Sequence, residues 1–183
     1  MDLVTGIKER RSIRKFQDKK VPHEVIEEIV NVATFAPSWK NTQIARYIVV
    51  EDPEKIAAIA TEECTLGFTY NIKTMSKAPA MVLLTYVKGR SGYEKDGSFT
   101  TSKGDRWEMF DAGIAAQTFC LAAHEKGVGT VIMGIFDEEK VGEIVEIPEG
   151  QVLAAIIPMG YPAEGIEVAA PPRKTAEQLL SFI

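Results

Sequence analysis

Three guanidinium groups and one hydroxyl occur within five residues near the N-terminus, in Arg10-Arg11-Ser12-Ile13-Arg14. Guanidinium groups stay charged at any working pH, and their paired N–H donors match the geometry of phosphate oxygens. The run lies within a basic segment, residues 8–20, although the whole chain carries a net charge of −5. A basic patch on an acidic protein favours a small anion held at one place. The alternative is a solvated basic turn.

A second polar cluster follows a proline that ends a predicted helix. Ser38, Asn41 and Gln43 supply short donors and acceptors directly after Pro37. Such a loop suits the imide edge of a heterocycle, which presents alternating C=O and N–H groups. An Asn- and Ser-rich connection without a ligand is the alternative for this segment.

The segment 127–136 contains three glycines but lacks the dinucleotide-binding fingerprint, and the chain contains no G-x-x-x-x-G-K-[ST] phosphate loop. What remains is a strand that ends at Gly134, where a backbone N–H could face a flat ligand without an intervening side chain. The alternative is a tight strand end. Arg173 and Lys174, after Pro171-Pro172, could add cationic charge to the same anion, or they could belong to a solvated tail.

Hydrophobic periodicity and the positions of proline and glycine predict the elements that carry these residues. The predicted helices cover residues 2–11, 22–36, 53–63, 69–77, 106–126 and 137–145, and the predicted strands cover 47–50, 81–87, 129–133 and 151–159. Helices and strands mix without strict alternation, which favours an α+β fold in a single domain, residues 1–183. The loop 88–105 is long enough to be a mobile lid.

Composition excludes several classes of function. The negative net charge argues against nucleic acid binding, which depends on neutralised phosphates. No apolar run approaches the ~18 residues that span a membrane, and the charged N-terminus lacks the apolar core of a signal peptide. We therefore expect a cytoplasmic protein. Cys120 and His124 would share a helix face, but two further ligands are missing, so we expect no metal site.

Five blocks, in order along the chain, resemble the nitroreductase family of FMN enzymes. They are Arg10-Arg-Ser-x-Arg14-x-Phe16, Ala36-Pro-Ser-x-x-Asn-x-Gln43, Asp111-Ala-Gly-x-Ala-x-Gln117, Gly127-x-Gly129 with Gly134-x-Phe-Asp137, and Pro171-Pro-Arg-Lys174. The likeness covers nearly the whole chain. One departure is that Gln43 is followed by Ile44-Ala45, where the family usually has Pro-Trp.

The resemblance implies an α+β homodimer with a mostly antiparallel central sheet flanked by helices. Two FMN molecules would lie at the subunit interface, and a C-terminal arm, about residues 165–183, would be exchanged between subunits. The implied FMN-binding residues are Arg10, Arg11, Ser12, Arg14, Pro37, Ser38, Asn41, Gln43, Asn71, Gly134, Ile135, Arg173 and Lys174.

Within this set the resemblance also implies roles. Arg10 and Ser12, with Arg173 or Lys174, resemble the phosphate clamp, and Asn71 resembles a polar contact to the isoalloxazine ring. The residues of the 37–43 loop resemble contacts made by the other subunit. Gly134 and Ile135 resemble the backbone that faces flavin N5.

The implied activity is hydride transfer from NAD(P)H through the flavin to a small acceptor, such as a nitroaromatic or a quinone, with ping-pong kinetics. The cofactor supplies the chemistry in such enzymes, and the protein supplies orientation and charge. Arg14 is the candidate to stabilise the reduced flavin. Two alternatives remain: a non-catalytic flavin-binding or redox-sensing module on the same fold, and a phosphate-ligand binding protein unrelated to flavin.

Overall fold

A four-stranded antiparallel sheet forms the centre of the computed structural model, which describes residues 2–183. In the order β1-β2-β4-β3 across the sheet, the strands are β1 (Ala45–Val50), β2 (Ala80–Val87), β4 (Gln151–Gly160) and β3 (Gly129–Thr130). β2 is buried almost along its whole length, in agreement with its uninterrupted apolar sequence. The strands confirm the predicted mixed α+β architecture.

Seven α-helices occur in the described part of the chain, and the last of them lies on the exposed tail. They are α1 (Leu3–Glu9), α2 (His23–Ala33), α3 (Pro53–Ile59), α4 (Thr69–Met75), α5 (Arg106–Glu125), α6 (Glu138–Val145) and α7 (Ala176–Leu179). Aspartates begin three of them, because the side chains of Asp2, Asp52 and Asp137 accept hydrogen bonds from backbone N–H groups of the first turn. No helix within residues 2–183 combines the length and apolarity needed to cross a membrane.

The predicted strand 129–133 is shorter in the structure, and Pro158 on β4 explains the difference. β3 pairs with β4 only at Gly129 and Thr130, and the pairing returns once at Met133 and Ile156. Pro158 lies opposite the interruption and has no N–H to donate to the ladder. The predicted helix 53–63 is also shorter and ends at Ile59.

The sheet buries a hydrophobic core on each face. Val82 and Leu84 of β2 face α2 and α5, while Met81 and Leu83 face α3 and α6. This alternation follows from the two-residue period of a strand, and it gives a sheet with helices on both faces. α5 is the longest helix and carries a buried side of small and aromatic residues, including Phe119.

Candidate functional site

The basic segment 10–14 lies along β3 and extends the sheet at its edge. Ser12 pairs with Thr130 in a parallel bridge, and the N–H of Ile13 donates to the Thr130 carbonyl at 2.9 Å. Gly129 permits this close approach, since a Cβ there would lie 2.7 Å from the Cβ of Ile13. The chain direction changes at Arg10, the C-cap of α1, so the helix leads directly into this segment.

The three guanidinium groups of the segment are not neutralised by the protein. None of Arg10, Arg11 and Arg14 forms an ion pair with a carboxylate among residues 2–183. Arg11 donates to the carbonyl oxygens of Lys8 and Arg10, at 2.6 and 2.9 Å, and Arg14 donates to that of Ser12 at 3.3 Å. The segment thus concentrates positive charge that an external anion can neutralise.

Arg14 connects this segment to α4. Its guanidinium carbon lies 5.7 Å from the centre of the Tyr70 ring, and the next residue, Asn71, is buried with 7% exposure. Because the pairing at Ser12 is parallel, Arg14 lies level with Ile132, two residues before Gly134. The structure therefore brings Arg10–Arg14, the start of α4 and the chain after β3 to one edge of the sheet.

The backbone at Gly134 and Ile135 is exposed between two fixed points. Met133 exchanges hydrogen bonds with Ile156, and the N–H of Asp137 donates to the Cys64 carbonyl at 2.8 Å. Between them, a Cβ on Gly134 would meet no atom within 4 Å, and the Ile135 side chain is 44% exposed. A flat ligand could lie against this stretch without a steric obstacle.

The 37–43 loop has a strained backbone. Lys40, Asn41 and Gln43 adopt φ values of 45°, 55° and 48°, in the left-handed region that favours glycine. The Ser38 hydroxyl accepts a hydrogen bond from the N–H of Gln43 at 3.0 Å and closes the loop on itself. Such strain costs about 1–3 kcal/mol per residue and persists only where neighbouring structure holds it. The side chains of Pro37, Asn41 and Gln43 point to the surface.

Asp111 of α5 is the group that holds this loop. Its Oδ2 atom accepts from the N–H of Trp39 at 2.9 Å and from the hydroxyl of Ser91 at 2.5 Å. The Ser91 hydroxyl also contacts that of Thr42 at 2.8 Å. Sequence reasoning missed this role, although a carboxylate among the small and apolar residues of a buried helix face was a usable signal.

The long loop 88–105 is fixed to α5 at both ends. The buried Glu108 carboxylate accepts from the N–H groups of Gly89 and Arg90, at 2.5 and 3.2 Å. Trp107 Nε1 donates to the Thr101 hydroxyl at 3.0 Å. Burial raises the pKa of the Glu108 carboxyl above its ordinary value, and the two backbone donors oppose that shift.

Ile44 and Ala45 stand where the family usually has Pro-Trp. Ile44 is 2% exposed and packs against Tyr86 and Ala112. A cavity of about 110 Å³ remains beneath the loop, lined in part by Ala45 and Tyr47. The Tyr47 hydroxyl is buried and forms no hydrogen bond within residues 2–183, and burial raises its pKa to about 12. Ile44 and Ala45 both line this cavity, so the packing beneath the loop is open at both positions.

The predicted residues form three separate groups within one chain. No hydrogen bond or ion pair within residues 2–183 joins the 37–43 loop to the segment 10–14. Arg173 and Lys174 lie exposed on the tail, past a cavity of about 310 Å³ that Arg10, Ile166 and other residues line. One chain therefore does not bring the tail cations to Arg10.

Comparisons with known proteins agree with this architecture. The sequence profile of the nitroreductase family matches residues 7–66 and 68–161. A protein of Methanothermobacter thermautotrophicus, provisionally named an NADH dehydrogenase/NAD(P)H nitroreductase, is 34% identical over 168 residues, which cover 90% of this chain and 79% of that protein. Iodotyrosine deiodinase of Nematostella vectensis is 27% identical over 196 residues, which cover 96% of this chain and 72% of that protein.

Solved structures show the same fold. The FMN-dependent nitroreductase of Clostridium difficile R20291 superposes with a TM-score of 0.77 at 26% sequence identity, and the match covers 98% of each chain. The family profile spans most of the chain, and the described strands and helices correspond to a nitroreductase-like fold. The chain therefore belongs to the nitroreductase family.

Proposed function

We propose that this protein is an FMN-dependent oxidoreductase that passes hydride from NAD(P)H to a small acceptor, such as a nitroaromatic or a quinone. The observation that carries the proposal is the unpaired cationic segment 10–14, which lies on the same sheet edge as the open backbone at Gly134. The names of the relatives support it, since they include an NAD(P)H nitroreductase and an FMN-dependent nitroreductase.

The residues at this edge fit the chemistry of FMN. Arg10 and Ser12 offer a guanidinium and a hydroxyl to a phosphate, and the absent side chain at Gly134 leaves room for a flat ring. Asn71 carries both a donor and an acceptor, as the edge of a flavin requires. When bound, FMN would supply the hydride chemistry, accepting from NAD(P)H and donating to the acceptor.

Arg14 supplies a fixed positive charge beside this ring site. Its guanidinium lies against Tyr70, which limits its orientation, and no carboxylate within residues 2–183 pairs with it. A cation oriented in advance stabilises negative charge that develops next to it at no reorganisation cost. We therefore assign to Arg14 the stabilisation of the reduced state, and to the backbone of Gly134 and Ile135 the support of the reacting face.

A homodimer would complete the site. The outward side of α5 exposes Met109 and Phe110, and a Cβ on Gly113 would meet no atom within 4 Å. Further exposed apolar side chains lie on α1, at the end of α2 and in the tail: Leu3, Val4, Ile7, Val32, Phe35, Leu179, Leu180, Phe182 and Ile183. A monomer rarely leaves so much apolar surface in water, so these features favour association with a second copy.

In that dimer, the 37–43 loop of one subunit would contact the flavin held by the other. The loop carries outward-facing Pro37, Asn41 and Gln43, and Asp111 of α5 holds its backbone at the N–H of Trp39. Arg173 and Lys174 would reach the phosphate across the interface, since they lie exposed on the tail directly after two prolines.

Purified protein tests the proposal directly. We expect bound flavin, its reduction by NADH or NADPH without oxygen, and its reoxidation by a nitroaromatic, a quinone or a halogenated phenol. Arg10→Ala should weaken FMN binding by roughly tenfold to a hundredfold, because a hydrogen bond to a charged group is worth about 1.5–3 kcal/mol. Lys55→Ala, on exposed α3, is the matched control.

Each result separates the proposal from its alternatives. Flavin that binds but accepts no electrons from either nicotinamide would identify a non-catalytic flavin-binding module. Protein that binds no FMN, or an Arg10→Ala variant that retains FMN as well as the Lys55→Ala control, would refute the assigned phosphate site.

A further inference from the structure

The 37–43 and 88–105 loops are far apart in the sequence, but both contact one carboxylate oxygen of Asp111. Asp111 Oδ2 accepts from the backbone of Trp39 in the 37–43 loop and from the side chain of Ser91 in the 88–105 loop. Both Asp111 and Ser91 are buried, with 4% and 0% exposure. We propose that Asp111 is a positioning residue that makes these two loops move as one unit, so that a change in one is transmitted to the other.

The hydrogen atoms in this junction can be assigned. A carboxylate only accepts, so the Ser91 hydroxyl must donate to Asp111. Its single proton is then committed, and the Thr42 hydroxyl must donate to Ser91. The junction therefore consists of three hydrogen bonds: Thr42 donates to Ser91, Ser91 donates to Asp111, and the N–H of Trp39 donates to the same Asp111 oxygen. Two of its three bonds are charge-assisted, and these are stronger than bonds between neutral groups.

Strain in the first loop makes the junction necessary. Lys40, Asn41 and Gln43 hold left-handed conformations that only surrounding contacts maintain. Removal of the Asp111 acceptor releases Trp39 on one side and Ser91 on the other. The 37–43 loop can then relax to ordinary backbone angles, and Ser91 keeps only its bond to Thr42 of that same loop.

A second contact pair spans the same two loops on the surface. Lys40 pairs with Glu94 at 3.1 Å, and the Trp39 ring lies 4.7 Å from that of Trp107, which bonds to Thr101. The exposed ion pair contributes little by itself. These contacts nevertheless show that the loops adjoin along their length, with Asp111 as their buried connection.

The functional consequence rests on the proposed function. If the 37–43 loop contacts the flavin held by the partner subunit, the adjoining 88–105 loop lies at that same flavin, and Asp111 fixes the two loops relative to each other around the acceptor. Asp111 would then influence acceptor affinity more than reduction by NAD(P)H.

Hydrogen exchange on the full-length protein tests the junction without reference to flavin. Asp111→Ala should speed amide exchange in both 37–43 and 88–92 by about tenfold or more, the equivalent of one lost bond to a charged group. Asp111→Asn can keep an oxygen at the Oδ2 position and should restore near-normal exchange. Glu108→Ala removes a buried carboxylate one turn away that holds only Gly89 and Arg90 and leaves the junction intact, so exchange in 37–43 should rise far less than in Asp111→Ala.

The two tryptophans of the chain, Trp39 and Trp107, both lie at this junction, so intrinsic fluorescence reports on it directly. Asp111→Ala should change the emission, whereas Asp111→Asn should not. Exchange that rises in only one loop, or in neither, would overturn the proposal.

Variants that keep the Asp111 carboxylate test the junction even where Asp111→Ala fails to fold. Ser91→Ala and Thr42→Val should each speed exchange in both loops. The double variant should match Ser91→Ala, because loss of the Ser91 hydroxyl already removes the bond from Thr42. Additive effects would contradict a shared junction.

Turnover supplies the last measurement. Asp111→Ala should raise KM for the acceptor about fivefold or more, as expected for one weakened contact, while the anaerobic rate of flavin reduction changes less than twofold. Equal loss in both steps would contradict a positioning role at the acceptor side. A protein without flavin would refute the proposed function, but the exchange results would still decide the junction.

Discussion

Replacement of Gly129 by alanine should displace the cationic segment without removing any of its charges. An added Cβ would lie 2.7 Å from Cβ and Cγ1 of Ile13, and 2.8 Å from its Cγ2. Carbon atoms in contact are normally 3.5–4.0 Å apart, so the segment must move by about 1 Å. Overpacking of this kind costs about 1–3 kcal/mol. The backbone at Gly129 is not left-handed, so only the steric effect is tested.

The displacement should reach the neighbours of Ile13, since Ser12 and Arg14 share its short segment. We expect Gly129→Ala to weaken FMN binding roughly tenfold to a hundredfold, because at least one charge-assisted bond to the cofactor is lost. Titration of the apoprotein with FMN measures the affinity, and thermal unfolding measures the stability. Gly142→Ala in α6 is the control, since its Cβ would make only an ordinary contact, 3.7 Å from Cδ1 of Ile147. Unchanged FMN affinity in Gly129→Ala would refute the argument that β3 positions the segment.

Three further outcomes follow from other parts of the structure. Tyr47→Phe should stabilise the protein by about 1 kcal/mol in urea unfolding, because the buried hydroxyl has no partner within residues 2–183; a loss of stability would reveal a partner. Burial raises the pKa of the Glu108 carboxyl in the folded protein above its value in the unfolded chain, 4.5. The protonated carboxyl therefore stabilises the fold below pH 4.5, and this contribution is lost as the pH rises through the folded-state pKa. Glu108→Gln should therefore be most stabilising, relative to the wild type, at neutral pH, and a pH-independent difference would contradict the shift. Truncation before Pro171 should weaken the proposed dimer, measured by sedimentation at low concentration, and an unaffected dimer would exclude the tail from the interface.

Local sequence signals were sufficient to predict those strands and helices whose position has one dominant physical cause. The apolar run at β2 predicted a buried strand because every side chain there must avoid water on both faces of the sheet. Pro37 predicted that the second helix stops before it, and α2 stops at Ala33, earlier than the predicted residue 36. Asp137 begins α6 with a side-chain cap that its sequence position favours. In each case the determining interaction lies within a few residues.

The sequence did not predict features that depend on distant partners. Left-handed conformations at Lys40 and Gln43 oppose the local preference of both residues, and they exist because Asp111 and Ser91 hold the loop from outside. The shortening of β3 likewise depends on Pro158, which lies far along the chain on β4. Periodicity contains no information about such pairings, because it records only which residues avoid water.

The position of β3 at the edge of the sheet links the fold to the proposed chemistry. A central strand has neighbours on both sides, and only an edge strand can accept the parallel pairing with Ser12. The pairing carries three unneutralised guanidinium groups to the border of the domain, where a second subunit could supply further cations and the 37–43 loop. A cofactor held there would be shared between subunits, and its phosphate site would depend on two residues of β3, Gly129 and Thr130. Weakening this pairing should therefore reduce FMN affinity, whereas the apolar surfaces of α5 and the tail, which would form the proposed dimer, stay in place.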